Sequence, residues 1–195
     1  MVEPETVDES GVASDSFVVE TILRRIADDV SLVIDRPLAI ERLTSAREFK
    51  RPAGKTRPHI SFKLAFESGE HVTYGSLLVP LPDAIALACY LMMVPDDAVK
   101  QRRSAKDLDR ATKDAMVEVD NFIGGATDGA LRRIAPATKA RGAGCQGVRP
   151  DVRPAFPYEE GAPLLVGRAM TRVHTFDPFE MILVLPVIEG VVSEE

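Results

Sequence analysis

The sequence has little of three features that would place it in a specialised class of protein. It has two cysteines in 195 residues, no excess of basic residues, and no apolar run near the roughly 18 residues that span a bilayer. The two cysteines, Cys89 and Cys145, have no metal-type or disulfide-type spacing, which argues against a disulfide scaffold. The longest apolar run, residues 84–94, is too short for a membrane helix. We therefore expect a cytoplasmic protein that does not contact a membrane.

Positive charge is scarce as well. Lysine and arginine number 24 against 30 aspartates and glutamates, so the formal net charge is −6. Residues 1–15 contain five acids and no basic residue, and they lack the basic start and apolar centre of a secretory signal. The rest of the chain is nearly neutral and lacks the broad positive surface that nucleic-acid binding requires. We expect no nucleic-acid partner.

The length and composition fit one ordinary globular domain. Hydrophobic residues make up 45% of the chain and charged residues 28%, which allows a real core. The acidic opening, residues 1–15, is predicted to be a disordered tail. The domain is predicted over residues 16–190, and residues 191–195 form a short C-terminal tail.

Two segments show the alternation of β-hairpins. Residues 59–67 and 71–81 flank one turn, and residues 164–175 and 180–187 flank another. An amphipathic helix precedes each hairpin, and Pro37 ends the first of these helices. We predict an α+β fold of two pseudo-symmetric helix-plus-β-hairpin halves, with long helices packed on an antiparallel sheet.

The region between the hairpins is predicted to be mainly helical. Residues 84–93 are apolar on all sides and form a buried helix that Asp83 caps. A polar connector over residues 95–106 leads to a long helix over residues 107–134, which Pro136 ends. The second half therefore begins with this long helix.

A glycine-rich and basic segment, residues 137–150, follows the long helix and is predicted to be a loop. Residues 142–147 match the glycine spacing of a dinucleotide-binding loop. That motif needs a strand before it and a helix after it, so that a helix N-terminus can face the pyrophosphate. This segment follows a helix, so we assign no nucleotide site.

The long helix has two contrasting faces. Six apolar residues fall in one stripe that we expect to face the sheet, with Phe122 at its edge: Met116, Val119, Ile123, Ala126, Ala130 and Ile134. On the opposite face, spacings of four and three align Asp114, Glu118 and Asn121 in one exposed row. Gly124 and Gly125 follow, although a glycine inside a helix costs about 1 kcal/mol relative to alanine. We expect this face to be used, with Gly125 letting another protein approach.

The row restricts the chemistry available to the helix. No serine, cysteine or histidine nucleophile is near it, and one glutamate with one asparagine is too few ligands for a metal. A carboxylate can pair with a lysine of another protein, and an amide can hold a water by donating and accepting hydrogen bonds. Holding a water in line is the main task of a protein in phosphoryl hydrolysis.

The pattern Asp114-x3-Glu118-x2-Asn121-x2-Gly124 resembles the Asp/Ser-x3-Glu-x2-Asn signature of the CheC/CheX-type chemotaxis phosphatases. The order of the predicted elements around it is also similar to that of a CheX-like chain. The first helix retains only part of such a motif, because Leu23 stands where asparagine would be. The resemblance is therefore closer to the single-site, CheX-like members.

The resemblance implies a phosphatase that acts on the phosphoaspartate of a CheY-like response-regulator receiver domain. Glu118 would pair with the active-site lysine of the receiver, and Asn121 would orient the attacking water. Asp114, Gly124 and Gly125 would support the motif. No cofactor is expected on this chain, because Mg²⁺ would belong to the receiver, and CheX-like members suggest a possible homodimer.

A different class of function remains open from the sequence. The same fold type resembles flagellar switch proteins, which bind regulators or rotor parts without hydrolysis. The alternative is therefore a non-catalytic adaptor that binds a regulator through the same helix. Retention of both Glu118 and Asn121 favours the enzyme.

Overall fold

The structure, a computed structural model, describes residues 14–105 and 107–188. The elements in chain order are α1 (Asp15–Ile34), β1 (Leu38–Glu48), β2 (His59–Ser68), β3 (His71–Pro80), α2 (Leu81–Leu91), α3 (Asp96–Arg102), α4 (Arg110–Ile134), β4 (Thr138–Val148), β5 (Leu164–Val173) and β6 (Phe179–Pro186). All strand pairs in the described part are antiparallel and form one six-stranded sheet. The predicted α+β fold is confirmed.

The strand order shows that the chain consists of two equivalent halves. Across the sheet the order is β1-β5-β6-β3-β2-β4. Exchanging β1 with β4, β2 with β5 and β3 with β6 produces the same order read from the other end. The predicted pseudo-symmetry is therefore present, but each half is a helix with three strands rather than a helix with a hairpin. The first strand of each half pairs with the hairpin of the other half.

Strand β4 corrects the loop predicted over residues 137–150. It pairs with β2 from Thr138 to Val148, with a bulge in β4 between Gly142 and Cys145, opposite Lys63 of β2. Backbone N–H and C=O groups make this pairing, so a glycine-rich segment can form it without alternating apolar side chains. The prediction failed because it depended on side-chain alternation, which β4 lacks.

Strand β1 has no counterpart among the sequence predictions. It lies at the edge of the sheet and pairs only with β5 among the described strands. Charged residues in β1 conceal its alternation in the sequence. Two of them form ion pairs with the neighbouring strand β5: Glu41 lies 2.8 Å from Arg172, and Glu48 lies 3.0 Å from Arg168. An edge strand can carry such charges since one of its sides faces water.

Two predicted details around α2 are wrong. The helix begins at Leu81 with Pro80 at the N-cap, so Asp83 lies within the first turn and does not cap it. The buried Asp83 carboxylate instead accepts a hydrogen bond from the guanidinium of Arg103, just after α3. Arg103 thus compensates the charge of the buried acid. The second wrong detail is the polar connector, which contains the short helix α3.

The core lies mainly between the helices and one face of the sheet, where α1, α2 and α4 contribute buried apolar residues. On the other face, Phe156 and the partly buried Tyr158 pack on strand residues that include Ile182 and Val184. The guanidinium of Arg51 lies over both aromatic rings and holds this segment in place. Both faces of the central strands are thus covered, which gives α4 a rigid support.

Helix α1 begins one residue before the predicted start of the domain. The side chain of Ser14 caps it by accepting a hydrogen bond from the backbone N–H of Phe17 at 3.3 Å. Residues 1–13 and 189–195 lie outside the described residues, so the two predicted tails stay predictions. In the described part, every helix is too short or too polar to cross a membrane.

Candidate functional site

Helix α4 is held in place by its N-cap and its apolar stripe. It begins at Arg110, slightly later than predicted, because the side chain of Asp109 caps it and accepts a hydrogen bond from the N–H of Thr112 at 2.7 Å. Every residue of the predicted stripe is buried: Met116, Val119, Ile123, Ala126, Ala130 and Ile134. The prediction that this stripe faces inward is confirmed, and the core fixes the helix over most of its length.

The opposite face of α4 carries the predicted row. Asp114, Glu118 and Asn121 are all exposed. The amide Nδ2 of Asn121 donates a long hydrogen bond, 3.4 Å, to Oε2 of Glu118. Asp114 is instead 3.7 Å from the guanidinium of Arg110. The structure therefore brings Glu118 and Asn121 together and leaves Asp114 one turn away, in a separate ion pair.

The two glycines of α4 have different environments. Gly124 is buried, and a Cβ added there would lie 2.0 Å from the backbone N of Gly142 in β4. Its role is to let helix and strand backbones touch, so its assignment to the exposed face was wrong. Gly125 is exposed, and a Cβ there would meet no atom within 4 Å. Gly125 thus leaves the surface beside Asn121 low, as predicted.

Asp120 lies beneath the row and was not singled out from the sequence. It is 1% exposed, and its Oδ2 accepts a hydrogen bond from the N–H of Gly144 at 2.7 Å. No described residue bonds to its Oδ1. Burial raises the pKa of Asp120 to about 6, although the N–H groups of Gly144 and Ala143 oppose this rise. The buried carboxylate ties the helix next to Asn121 to the bulged part of β4.

The signal that could have found Asp120 is its position. An acidic residue directly after Val119, on the inward side of an amphipathic helix, needs hydrogen-bond donors from a neighbouring element. Those donors come from the glycine-rich segment that was predicted as a loop, so the missed strand concealed the contact.

A groove of about 480 Å³ runs beside the first half of α4. Its walls are α4, the start of α2 and the ends of β2 and β4, and its apolar lining includes Ile60, Leu81, Leu108, Met116, Val117 and Val148. Lys113 and Arg149 also line it, and Cys145 lies in its wall. Burial raises the pKa of the Cys145 thiol. The groove joins four elements that are distant in sequence, so no local pattern indicated it.

No protein-family model and no curated protein sequence matches this chain. Solved structures do match it in fold, over most of its length. The chemotaxis protein CheX from Desulfovibrio desulfuricans aligns with a TM-score of 0.58 and 15% identity, covering 89% of this chain and 99% of that chain. The chain has the CheX-type fold.

FliY and FliM share this CheX-type fold. FliY from Thermotoga maritima aligns with a TM-score of 0.63 and 10% identity, over 94% of this chain and 93% of that chain. The FliM middle domain from H. pylori has a TM-score of 0.61 and 8% identity, over 93% and 94%. The resemblance to the CheC/CheX family is therefore confirmed at the level of the fold, which CheX shares with FliY and FliM.

Proposed function

We propose that this chain is a phosphatase for the phosphoaspartate of a CheY-like response-regulator receiver domain. The observation that carries the proposal is the exposed Glu118–Asn121 pair, with its carboxylate and amide 3.4 Å apart on one helical turn. The buried face of α4 fixes this turn in the core, so the pair is presented with little conformational freedom. Such a pair can complete an active site that lies mostly on another protein.

The proposed reaction is hydrolysis of the acyl phosphate. The amide of Asn121 accepts from and donates to a water, and orients its oxygen toward phosphorus. The new P–O bond forms as the bond to the aspartate oxygen breaks, which releases inorganic phosphate and restores the aspartate carboxylate. The proton of the water is transferred to the departing phosphate, so the chain needs no general base of its own.

Glu118 has a different role in this proposal. Its carboxylate pairs with the active-site lysine of the receiver and thereby sets the position of Asn121 against the phosphoryl group. Mg²⁺ is assigned to the receiver and not to this chain. Asp114 is assigned a supporting role because it lies a turn away from the pair.

The experiment is the decay of a phosphorylated receiver from the same organism with and without this protein. We expect acceleration by the wild type, and a loss of about 100-fold or more in the Asn121→Ala and Glu118→Ala variants. Arg132→Ala is the matched control, because Arg132 is an exposed residue further along α4 that forms an ion pair with Asp128. Equal acceleration by the Asn121→Ala variant would refute the assigned chemistry.

The alternative, a non-catalytic adaptor, is favoured by one specific observation. The FliY and FliM structures share the fold, with TM-scores of 0.63 and 0.61, as CheX does with 0.58. An adaptor would bind receivers or rotor proteins without accelerating phosphate release. The wild type would then have no turnover, and Asn121→Ala would not change the decay rate. Receiver binding combined with an unchanged decay rate would support the adaptor.

A further inference from the structure

We propose that the groove beside α4 is the docking site for an apolar, carboxylate-bearing surface segment of the receiver. The proposal rests on the proposed function, since it names how the same partner is held beside Glu118 and Asn121. The groove binds the receiver, and Glu118 and Asn121 take part in the hydrolysis.

The groove and the polar pair share one ridge of α4. Lys113, Val117 and Asn121 follow one another at intervals of four residues, so their side chains lie in one row along the helix. Lys113 and Val117 line the groove, and Asn121 is the next residue of the row. Consecutive members are four residues apart, a rise of about 6 Å along the helix axis. A protein that reaches Asn121 is therefore in contact range of the groove.

The size of a specific interface also requires more surface than the pair offers. A stable protein complex buries about 800 Å² on each partner, whereas a glutamate and an asparagine supply a small part of that area. The additional area should be apolar and should lie next to the pair. Val117 is 45% exposed and continues into the apolar lining of the groove, which meets both requirements.

The charges of the groove identify the chemistry of its occupant. Lys113 and Arg149 line it, and neither lies within ion-pair distance of a carboxylate in the described ranges 14–105 and 107–188. Hydrogen bonds from Thr112 and, to a lesser extent, the charge of Lys113 lower the pKa of Asp109, the N-cap of α4. Aspartate and glutamate are absent from the described residues that line it. An apolar floor between two cations without ion-pair partners fits a segment that combines apolar side chains with carboxylates.

The test uses charge reversal at the two exposed cations. We expect Lys113→Glu and Arg149→Glu each to raise the KM for the phosphorylated receiver about tenfold, with kcat changed less than twofold. Lys139→Glu is the matched control, because Lys139 is an exposed lysine at the opposite end of the strand that leads to Arg149. Circular dichroism checks that all three variants remain folded.

The outcomes separate this proposal from the proposed function. An active wild type with unchanged KM in both groove variants overturns the docking site and leaves the phosphatase intact. A wild type that binds receivers without hydrolysis, and loses this binding tenfold in the groove variants, supports the docking site while the phosphatase fails. An equal loss of receiver affinity in Lys139→Glu would show that only the overall charge matters. This result would overturn the groove as the docking site.

Discussion

The two long helices have equivalent places in the two halves, yet only α4 presents the polar pair. Aligning Glu20 of α1 with Glu118 of α4 places Leu23 opposite Asn121. Leu23 is completely buried, whereas Asn121 is exposed. Glu20 is half-buried, whereas Glu118 is exposed, and Glu20 forms an ion pair with Arg24 at 2.7 Å. The first half thus keeps the glutamate position and has lost the asparagine.

The difference extends along the whole flank of each helix. Four aligned residues of α1 are buried: Val19, Leu23, Ala27 and Val30. Their counterparts in α4 are exposed or half-buried: Val117, Asn121, Gly125 and Asp128. In this alignment of the motif positions, the residues that α1 packs into the core correspond to residues that α4 leaves at or near its surface.

Glycines mark the closest contacts of the two helices with the sheet. A Cβ on Gly167 of β5 would lie 2.3 Å from Val19 and 3.0 Å from Leu23, so this strand makes room for that flank of α1. In α4 the close contact is instead between Gly124 and Gly142. Each helix thus has its own close glycine contact with the sheet, α1 with β5 and α4 with β4.

The largest expected effect is on the free energy of unfolding, when the asparagine of the pair is introduced into α1. Leu23→Asn puts a polar amide at a completely buried position, and we expect it to lower the free energy of unfolding by about 3–5 kcal/mol. The reciprocal change, Asn121→Leu, lies at an exposed position and should change it by less than about 0.5 kcal/mol. Urea unfolding measures both, and equal costs would contradict the difference between the flanks.

The next effect concerns the glycine contact of α4. Gly124→Ala forces the helix away from Gly142, and we expect a cost of about 2–3 kcal/mol in unfolding free energy. Gly125→Ala is the matched control in open space, where alanine should stabilise the helix by about 0.5–1 kcal/mol. Thermal and urea unfolding of both variants would show opposite signs. A stabilising Gly124→Ala would refute the close backbone contact.

Asp120 gives α4 a pH dependence. Its pKa is raised to about 6 in the folded chain, so as pH increases the unfolded state ionises first. The contribution of Asp120 to stability is therefore most favourable below its ordinary pKa of 3.8, declines by up to about 1.4 kcal/mol per pH unit, and levels off above about pH 6. Asp120→Asn should remove this slope from unfolding curves measured between pH 4 and pH 7. An unchanged slope would assign the dependence to other groups.

The smallest expected effect compares the two glutamates. Glu20→Gln breaks an exposed i,i+4 ion pair and should cost less than about 0.5 kcal/mol, with phosphatase turnover unchanged. Glu118→Gln should be equally mild for stability but should reduce turnover, since it removes the carboxylate proposed to bind the receiver. A loss of turnover in Glu20→Gln would contradict the single-site interpretation.

The sequence predicted the parts of the fold that depend on side-chain periodicity. The apolar stripe of α4, the exposed Glu118 and Asn121 and both hairpins are present as predicted. The edge strands β1 and β4 were missed because charged residues conceal the alternation of one and glycines that of the other. The possible homodimer stays a prediction, which the molar mass in solution would test.

The candidate site was only partly predictable for a related physical reason. Exposed polar residues at helical spacing show themselves in sequence, which is how the row on α4 was found. The roles of Gly124 and Asp120 depend on β4 lying against the helix, and the groove depends on four elements meeting. Contacts between distant segments leave no local pattern, so these features required the structure.

The most direct test compares the decay rate of one phosphorylated receiver with the wild-type protein and with the Asn121→Leu variant. Leucine is the residue that α1 has at the corresponding position, Leu23. We expect strong acceleration by the wild type. We also expect the variant to remain folded and to bind the receiver, yet to leave the decay rate at its spontaneous value. Equal acceleration by Asn121→Leu and the wild type would contradict the proposal that the exposed amide of α4 orients the attacking water.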